Sequence, residues 1–186
     1  MKKYLVLWFS LLALPGAHAV EVAGVQLPDT VSAENGEKLV LNGAGIRKKF
    51  FIKVYVGALY LPKKTRSAKE AIAQPGAKQV LMHFIYDSVS KKKITDGWVD
   101  GFKANLDEET FQQLQPRLKR FNGWFGEMKK GEKIIFQYIP KRGTRVSVRG
   151  VDKGTIAGED FMQALLKVWL GRKPADKDLK RAMLGR

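Results

Sequence analysis

Arg47 is the residue of this sequence whose type and position most invite chemistry. It follows the glycine-rich segment "NGAG" and precedes a run of aromatic and β-branched residues in "LNGAGIRKKFFIKVYVGALYLP", residues 41–62. A guanidinium remains charged even in partly dry surroundings, and it presents a planar fork of hydrogen-bond donors. Arg47 is therefore either the anion anchor of an apolar site or a solvated charge at the entrance of a strand, and the sequence leaves both interpretations open.

Other residue types that commonly carry chemistry are scarce. The chain has no cysteine and only two histidines, His18 and His83. The lack of cysteine excludes disulfides, thiolate nucleophiles and cysteine metal sites. His83 lies within the strand-like run "VLMHFIY", which is more typical of a structural histidine than of a catalytic one. No cluster of histidines and carboxylates has the spacing of a metal site, so we expect neither a metal nor a cofactor.

The first nineteen residues have the order of a secretory signal. Two lysines precede an apolar run at 4–14, and "AHA" follows at 17–19. The apolar run is too short to span a bilayer comfortably. We therefore expect cleavage after residue 19 and export to the periplasm of a single domain, residues 20–186. An uncleaved anchor is the alternative.

The charge of the chain is strongly positive. The net charge is +16, and removal of the two leader lysines leaves +14. So basic a domain favours an anionic partner. Export argues against nucleic acid, so anionic lipid headgroups or an anionic small molecule are the expected counterparts. A merely solvated lysine-rich face is the simpler alternative.

The hydrophobic pattern predicts an α+β domain. Strands come first, helices follow in the middle, strands return, and helices close the chain, an order that indicates an antiparallel sheet with helices packed to one side. Ser90 is the expected N-cap of the first long helix, and Ile94, Trp98 and Phe102 recur along one helical stripe. The predicted strands cover 20–27, 38–42, 48–61, 78–87, 131–140 and 144–150.

Glycines and a proline suggest local irregularities. "NGAG" at 42–45 predicts a turn, and Gly57 predicts a bulge or a close backbone approach within its strand. Gly97 and Gly101 fall on one side of a helix, where they would allow close packing on the sheet. Pro116 predicts a kink or a break in the second long helix.

The aromatic residues have two interpretations, core and pocket. Tyr55 and Tyr60 lie five positions apart on a predicted strand and so face opposite sides. At most one of them can join Arg47, unless a bulge at Gly57 resets the phase. The helical aromatics favour the core interpretation; they are Trp98, Phe102, Phe161 and Trp169.

Two segments resemble the chalcone isomerase superfamily. Residues 41–62 resemble its signature, a Gly-x-Gly-x-Arg turn that leads into a long strand. Residues 160–185, "DFMQALLKVWLGRKPADKDLKRAMLG", resemble its closing segment, and "SKKKITDGWVDGFKAN" stands where the family has its first long helix. The resemblance covers roughly residues 24–185 and is strongest to exported bacterial chalcone-isomerase-like proteins. It implies an open-faced β-sandwich, in which helices cover one face of a large antiparallel sheet and a ligand cleft lies between them.

The same resemblance implies a set of site residues. Arg47 matches the arginine that steers a phenolate in the plant enzymes. The strand threonine falls on Tyr55, the helix tyrosine on Trp98, and the Ser/Thr of the final helix on Val168. Asn105 matches the family's asparagine. Arg47 and Asn105 are thus retained, whereas three polar positions have changed.

These departures argue against chalcone cyclisation and favour binding. Some non-enzymatic relatives bind fatty acids, with an arginine and a tyrosine on the acid group. The first hypothesis is therefore a non-catalytic binder of a fatty acid or similar apolar anion, anchored by Arg47. The second is an isomerase, an intramolecular lyase acting on another enone-bearing phenol. The third is an envelope protein that associates with anionic lipid. The sequence indicates no oligomeric state.

Overall fold

The computed structural model describes residues 19–186. The proposed signal peptide falls, apart from Ala19, outside the described residues, so its cleavage stays a prediction. Within 19–186 no helix combines the length and the apolar character needed to cross a bilayer. The helices are α1 Ala68–Ala73, α2 Lys91–Asn105, α3 Glu108–Asn122, α4 Glu159–Leu170 and α5 Lys177–Met183.

Most of the strands of the described residues form one large antiparallel sheet. Its seven strands lie in the order β11-β10-β9-β6-β5-β4-β3, and β1 with β2 and β7 with β8 form two small separate two-stranded sheets. The strands are β1 Ala19–Val22, β2 Val25–Pro28, β3 Thr30–Ser32, β4 Lys38–Lys49, β5 Ile52–Leu61, β6 Lys78–Phe84, β7 Ser88–Val89, β8 Met128–Lys129, β9 Lys133–Ile139, β10 Gly143–Val148 and β11 Val151–Ile156. The predicted α+β fold with an antiparallel sheet is confirmed.

The helices begin where side chains can satisfy free backbone N–H groups. Ser90 accepts a hydrogen bond from the backbone N–H of Lys93 at the start of α2, as the sequence predicts. Asp107 caps α3 through the N–H of Thr110. Asp176 caps α5 through the N–H groups of Asp178 and Leu179. These caps fix where the helices begin and thereby how they lie over the sheet.

The helices bury an aromatic core against one face of the sheet. Trp98 of α2 makes edge-to-face contacts with Phe121, Phe136 and Trp169, at centroid distances of 5.6, 5.4 and 5.6 Å. These contacts join α2 and α4, which carries Trp169, to α3 and to strand β9. All four helical aromatics are almost fully buried, namely Trp98, Phe102, Phe161 and Trp169. The core interpretation is therefore confirmed for three of them, whereas Trp98 belongs to the core and also borders a cavity.

The opposite face of the sheet has a smaller core of its own. Val25 and Leu27 of the β1–β2 hairpin pack there with Val56 and Tyr60 of β5. Tyr55 belongs instead to the core under the helices. Tyr55 and Tyr60 therefore face opposite sides of the sheet, as their spacing predicts.

The predicted turn at 42–45 is wrong, because β4 runs straight through it. The glycines allow close packing of α5, which crosses the strand at a distance that leaves no room for side chains. A Cβ at Gly43 would lie 2.1 Å from the carbonyl oxygen of Ala182, and one at Gly45 would lie 2.5 Å from the Cβ of Ala182. Asn42 reinforces the contact by donating to the carbonyl of Met183 at 2.7 Å. The glycines thus indicate close helix–strand packing.

Gly57 carries no bulge, and the bulges lie elsewhere in the β4–β5 pair. Gly57 pairs in register with Gly45, and its alternative role as a close approach is confirmed because Leu179 of α5 packs over it. The register shifts instead at Asn42 and at Val54. The shift at Val54 lets this residue and Tyr55 both join the core under the helices.

The expectation for Gly97 and Gly101 needs correction, and the break that was one alternative at Pro116 does not occur. A Cβ at Gly101 would lie 2.8 Å from a methyl of Val168, so this glycine admits α4 rather than the sheet, whereas Gly97 faces open space. Pro116 lies inside α3 without splitting it. Its position on the exposed side of the helix leaves the buried stripe of Phe111, Leu114 and Leu118 uninterrupted.

Candidate functional site

Arg47 lies on the face of the sheet that the helices cover. It stands directly opposite Tyr55 in the β4–β5 register, and cross-strand partners project from the same face. Its guanidinium carbon is 5.8 Å from the centroid of the Tyr55 ring, within the range of a cation–π contact. The side chain is half-buried. Arg47 therefore points between sheet and helices rather than away from the protein.

Two adjoining cavities open beside Arg47. The inner one has a volume of about 60 Å³, and the outer one about 580 Å³. Six residues line both cavities, which therefore lie side by side: Arg47, Val54, Val89, Lys93, Gly97 and Ala175. The larger volume falls within the usual range for small-molecule sites, about 300–1,000 Å³.

Tyr55 forms part of the inner wall and is buried. Its hydroxyl oxygen accepts a hydrogen bond of 2.9 Å from Nε1 of Trp169. Burial raises the pKa of the Tyr55 phenol, against the opposing influence of the Arg47 charge and the Trp169 bond. The phenol is therefore neutral at physiological pH, and no residue of the described chain accepts its hydrogen, which leaves it free to donate to a ligand.

Trp98 and Val168 complete the inner wall from the helices. The indole Nε1 of Trp98 is buried and has no hydrogen-bond partner among the described residues. A buried donor without a partner is costly, but this nitrogen is enclosed by protein atoms and is not exposed to the cavity. Val168 contributes only methyl groups. Neither residue has a titratable acid, so neither replaces a tyrosine or threonine in proton transfer.

The charge of Arg47 acts on the carboxylate of Asp176, but backbone N–H groups already hydrogen-bond to that carboxylate. Its oxygens accept from the N–H groups of Lys48, Asp178 and Leu179 at 2.8 to 2.9 Å. Burial works to raise the pKa of Asp176, yet these bonds and the charge of Arg47 together hold it below its ordinary value. Within residues 19–186, Arg47 forms no salt bridge or side-chain hydrogen bond, so its donor fork remains available.

Asn105 lies outside the lining of both cavities. Its amide donates to the carbonyls of Gly101 and Lys173 at 3.0 and 2.8 Å, and its oxygen accepts from the N–H of Lys173 at 2.8 Å. Asn105 thus joins the end of α2 to the segment between α4 and α5. The family resemblance implies a ligand contact for Asn105, whereas its side chain is hydrogen-bonded to backbone groups of Gly101 and Lys173.

The outer cavity has mixed walls. Its apolar side is formed by Phe50, Ile52, Val54, Val89 and Ala104. Its charged groups stand around this strip; the cations are Arg47, Lys49, Lys93 and Lys173, and the acids are Asp96 and Asp100. The balance is positive, which suits an anionic, largely apolar ligand.

Chemically, the inner cavity combines two cations, Arg47 and Lys93, with a neutral donor in apolar surroundings. Arg47 offers charge-assisted hydrogen bonds, and Tyr55 offers one neutral donor. Residues 19–186 contain no group of three or more His, Asp or Glu residues that could hold a metal. Such a site is equipped to hold a carboxylate or a similar anion and to enclose the apolar part that follows it.

Sequence reasoning located four of the five predicted residues at the cleft and missed several wall residues. Val54 was obscured by the unbroken apolar run of β5, because a bulge is invisible in such a run. Trp169 was expected only as core, and it lies behind Tyr55 rather than in either cavity lining. Because a buried tryptophan normally needs a partner for its N–H, that requirement could have indicated a nearby acceptor such as Tyr55.

Comparison with solved structures shows the same fold in a plant protein. The crystal structure of a fatty-acid binding protein from Arabidopsis thaliana superposes with a TM-score of 0.69 at 14% sequence identity, covering 90% of this chain and 96% of the plant chain. At that identity the similarity establishes the fold. No curated protein sequence matches this chain significantly.

The sequence itself also matches a family profile, described as chalcone isomerase-like, over residues 19–185. This match covers nearly all of the chain, including Arg47 and the closing helices. It agrees with the large antiparallel sheet and the overlying helices described above. The chain therefore belongs to the chalcone isomerase-like family.

Proposed function

We propose that this protein is a non-catalytic periplasmic binder of a fatty acid or a similar apolar anion, held in the cleft between sheet and helices. One observation carries the proposal. Arg47 stands half-buried where the two cavities meet, and among residues 19–186 no carboxylate forms a salt bridge with it. A cation in such a place lowers the free energy of an entering anion.

The sizes of the cavities orient the ligand. The inner cavity of about 60 Å³ has room for a carboxylate but not for an acyl chain. There, Arg47 and Tyr55 offer donors to the acid oxygens. The tail then extends into the outer cavity of about 580 Å³ along the apolar strip. The plant neighbour of the same fold carries fatty-acid binding in its own description, which supports this choice of ligand.

The two ends of the ligand contribute differently. A hydrogen bond to a charged group contributes roughly 1.5–3 kcal/mol. Burial of an acyl chain contributes about 0.8 kcal/mol per methylene group. The tail therefore supplies most of the affinity, and Arg47 selects the acid and sets its orientation.

Calorimetric titration of delipidated protein with dodecanoate and with dodecanol tests the proposal. We expect saturable dodecanoate binding, and we expect Arg47→Ala to weaken it by about tenfold to a hundredfold, the equivalent of the lost charge-assisted bond. Dodecanol has no carboxylate, so its affinity changes little. The control is Arg66→Ala, an exposed arginine outside the cleft.

Two results would contradict the proposal. One is a wild-type protein that binds neither compound and, when purified from its host, releases no apolar ligand for mass spectrometry. The other is an Arg47→Ala variant that retains wild-type affinity for dodecanoate. The periplasmic assignment is tested separately by N-terminal sequencing of protein released by osmotic shock, which we expect to begin at Val20.

A further inference from the structure

The turn between β4 and β5 exposes large apolar side chains at the edge of the molecule. We call residues 48–53, "KKFFIK", the hairpin tip. Phe50 is 87% exposed, Phe51 101% and Ile52 45%, the largest contiguous group of exposed apolar side chains in the described chain. Contiguous exposed apolar groups commonly mark an interaction surface.

The turn chemistry of the hairpin tip does not favour folding. A two-residue hairpin turn prefers Asn-Gly or a similar pair, because its residues adopt positive φ. Here Phe50 adopts a φ of 54°, a conformation that bulky side chains rarely accept. Strained backbone of this kind concentrates at functional positions. Phe50 is thus held in solvent, beside Phe51, at some cost to the isolated fold.

The hairpin tip is also basic. Its six residues include three exposed lysines, Lys48, Lys49 and Lys53, and no acid. Apolar rings flanked by lysines match the interface of an anionic bilayer, in which the rings enter the headgroup region and the ammonium groups remain near the phosphates. A partner protein would not require this purely cationic border.

The hairpin tip forms one side of the cleft mouth. Lys49, Phe50 and Ile52 line the outer cavity, and the partly exposed Tyr86 lines it as well. A surface that contacts the tip therefore lies next to the entrance of the cavity. Other charged groups around this entrance are Lys93 and Lys173, with Asp96 and Asp100, so the cations of the rim remain in excess.

We propose that the hairpin tip docks the protein on an anionic lipid bilayer, with Phe51 inserted among the headgroups and the cleft mouth facing the lipid. The docking proposal depends only on the exposure and charge of the hairpin tip. Exchange of a ligand between bilayer and cleft deepens the proposed function and rests on it. The two ideas can fail separately because Phe51, Lys48 and Lys53 do not line either cavity.

Co-sedimentation with vesicles tests the docking. The vesicles consist of phosphatidylcholine alone or mixed with phosphatidylglycerol, at low salt and at about 0.5 M salt, where screening is nearly complete beyond a few ångströms. We expect the wild type to bind the anionic vesicles and to dissociate at high salt. Phe51→Ser should weaken binding at least tenfold, because a phenylalanine no longer leaves water.

Matched variants separate the tip from the overall charge and from exposed apolar residues elsewhere. Val151→Ser removes an apolar residue that is 55% exposed in β11, and we expect it to bind like the wild type. Lys48→Gln with Lys53→Gln should weaken binding about twenty-five-fold, since each lysine near an anionic surface contributes roughly a fivefold factor. The same charge change in Lys63→Gln with Lys64→Gln, at the far end of β5, should have a much smaller effect.

Specific outcomes would overturn the proposal. Wild-type binding by Phe51→Ser, or equal losses in the two lysine pairs, would mean that no docking site exists at the tip. A wild-type dimer that Phe51→Ser converts to a monomer in lipid-free buffer would assign the tip to self-association instead. Dodecanoate affinity of Phe51→Ser in lipid-free buffer should equal that of the wild type, and Arg47→Ala should still bind vesicles.

Discussion

At the scale of single residues, hydrogen bonding decides which polar groups belong to the site. The Arg47 side chain has no hydrogen-bond partner among the described residues, and it lines the inner cavity. Asn105 has its amide fully engaged with backbone groups. The type of a residue in the sequence therefore indicates a possible role, and the state of its hydrogen bonds in the fold decides whether it can meet a ligand.

Tyr55 offers a test of this distinction through stability. Tyr55→Phe removes the acceptor of the buried Trp169 N–H, so we expect the free energy of unfolding to fall by about 1–3 kcal/mol, the usual cost of an unsatisfied buried donor. Urea denaturation measures the change. The ligand affinity should also fall, because one donor of the inner cavity is lost.

Tyr60→Phe is the matched control on the other face of the sheet. The Tyr60 hydroxyl is buried without a partner in the described chain, and burial raises the pKa of Tyr60 to about 12. Its removal should leave the free energy of unfolding unchanged or slightly higher. Equal losses for both variants would show that the Tyr55–Trp169 bond has no special weight.

At the scale of elements, glycines determine how closely helices approach their neighbours. Gly43 and Gly45 admit α5 onto β4, and Gly101 admits α4 onto α2. The sequence alone suggested a turn at Gly43 and Gly45. Glycine is used both in turns, where it adopts unusual φ, and at close contacts, where it lacks a Cβ, and the sequence does not distinguish the two uses. Only the position of the opposing helix distinguishes the two uses.

Gly97 and Gly101 form a natural comparison within α2. Replacement of an interior helix glycine by alanine stabilises by roughly 0.5–1 kcal/mol where the methyl group has space. Gly97→Ala should show this gain in urea denaturation, since nothing lies within 4 Å of the new Cβ. Gly101→Ala should instead destabilise, by about 1–3 kcal/mol, because its methyl group would collide with Val168.

A second substitution checks that the collision is the cause. Val168→Ala should recover most of the loss in the Gly101→Ala background, and the double-mutant cycle should give a favourable coupling energy. Similar gains from both single alanine variants would contradict the close packing of α2 on α4.

At the scale of the whole molecule, the sequence predicted most of the architecture and part of the site. Hydrophobic periodicity located the long strands and helices because each buries one face continuously, as Ile94, Trp98 and Phe102 illustrate. The cleft walls were harder to predict. They depend on a bulge at Val54 and on helix approach distances, and neither leaves a periodic signal.

Ligand binding should stabilise the entire fold, because the site joins sheet and helices. At a free dodecanoate concentration of 100 times the Kd, linkage adds about 2.7 kcal/mol to the free energy of unfolding. For a domain of this size we expect a rise in Tm of about 5–10 °C by scanning calorimetry.

Arg47→Ala gives the comparison for this thermal shift. If its affinity is tenfold lower, the same dodecanoate concentration adds only about 1.4 kcal/mol, and the rise in Tm should be roughly half as large. A full shift in Arg47→Ala, or an equal shift with dodecanol in the wild type, would show that the carboxylate does not contribute to binding.

The contact of Asp176 with the backbone N–H of Lys48 spans 128 positions along the chain. Residues so distant in sequence meet only after most of the loop-closure entropy has been lost, and such topologies fold comparatively slowly. A partly folded chain therefore possesses the arginine but no enclosure around it. If the protein binds lipid as proposed, we therefore expect loading to follow the packing of α5 beside β4, late in the folding of each new molecule.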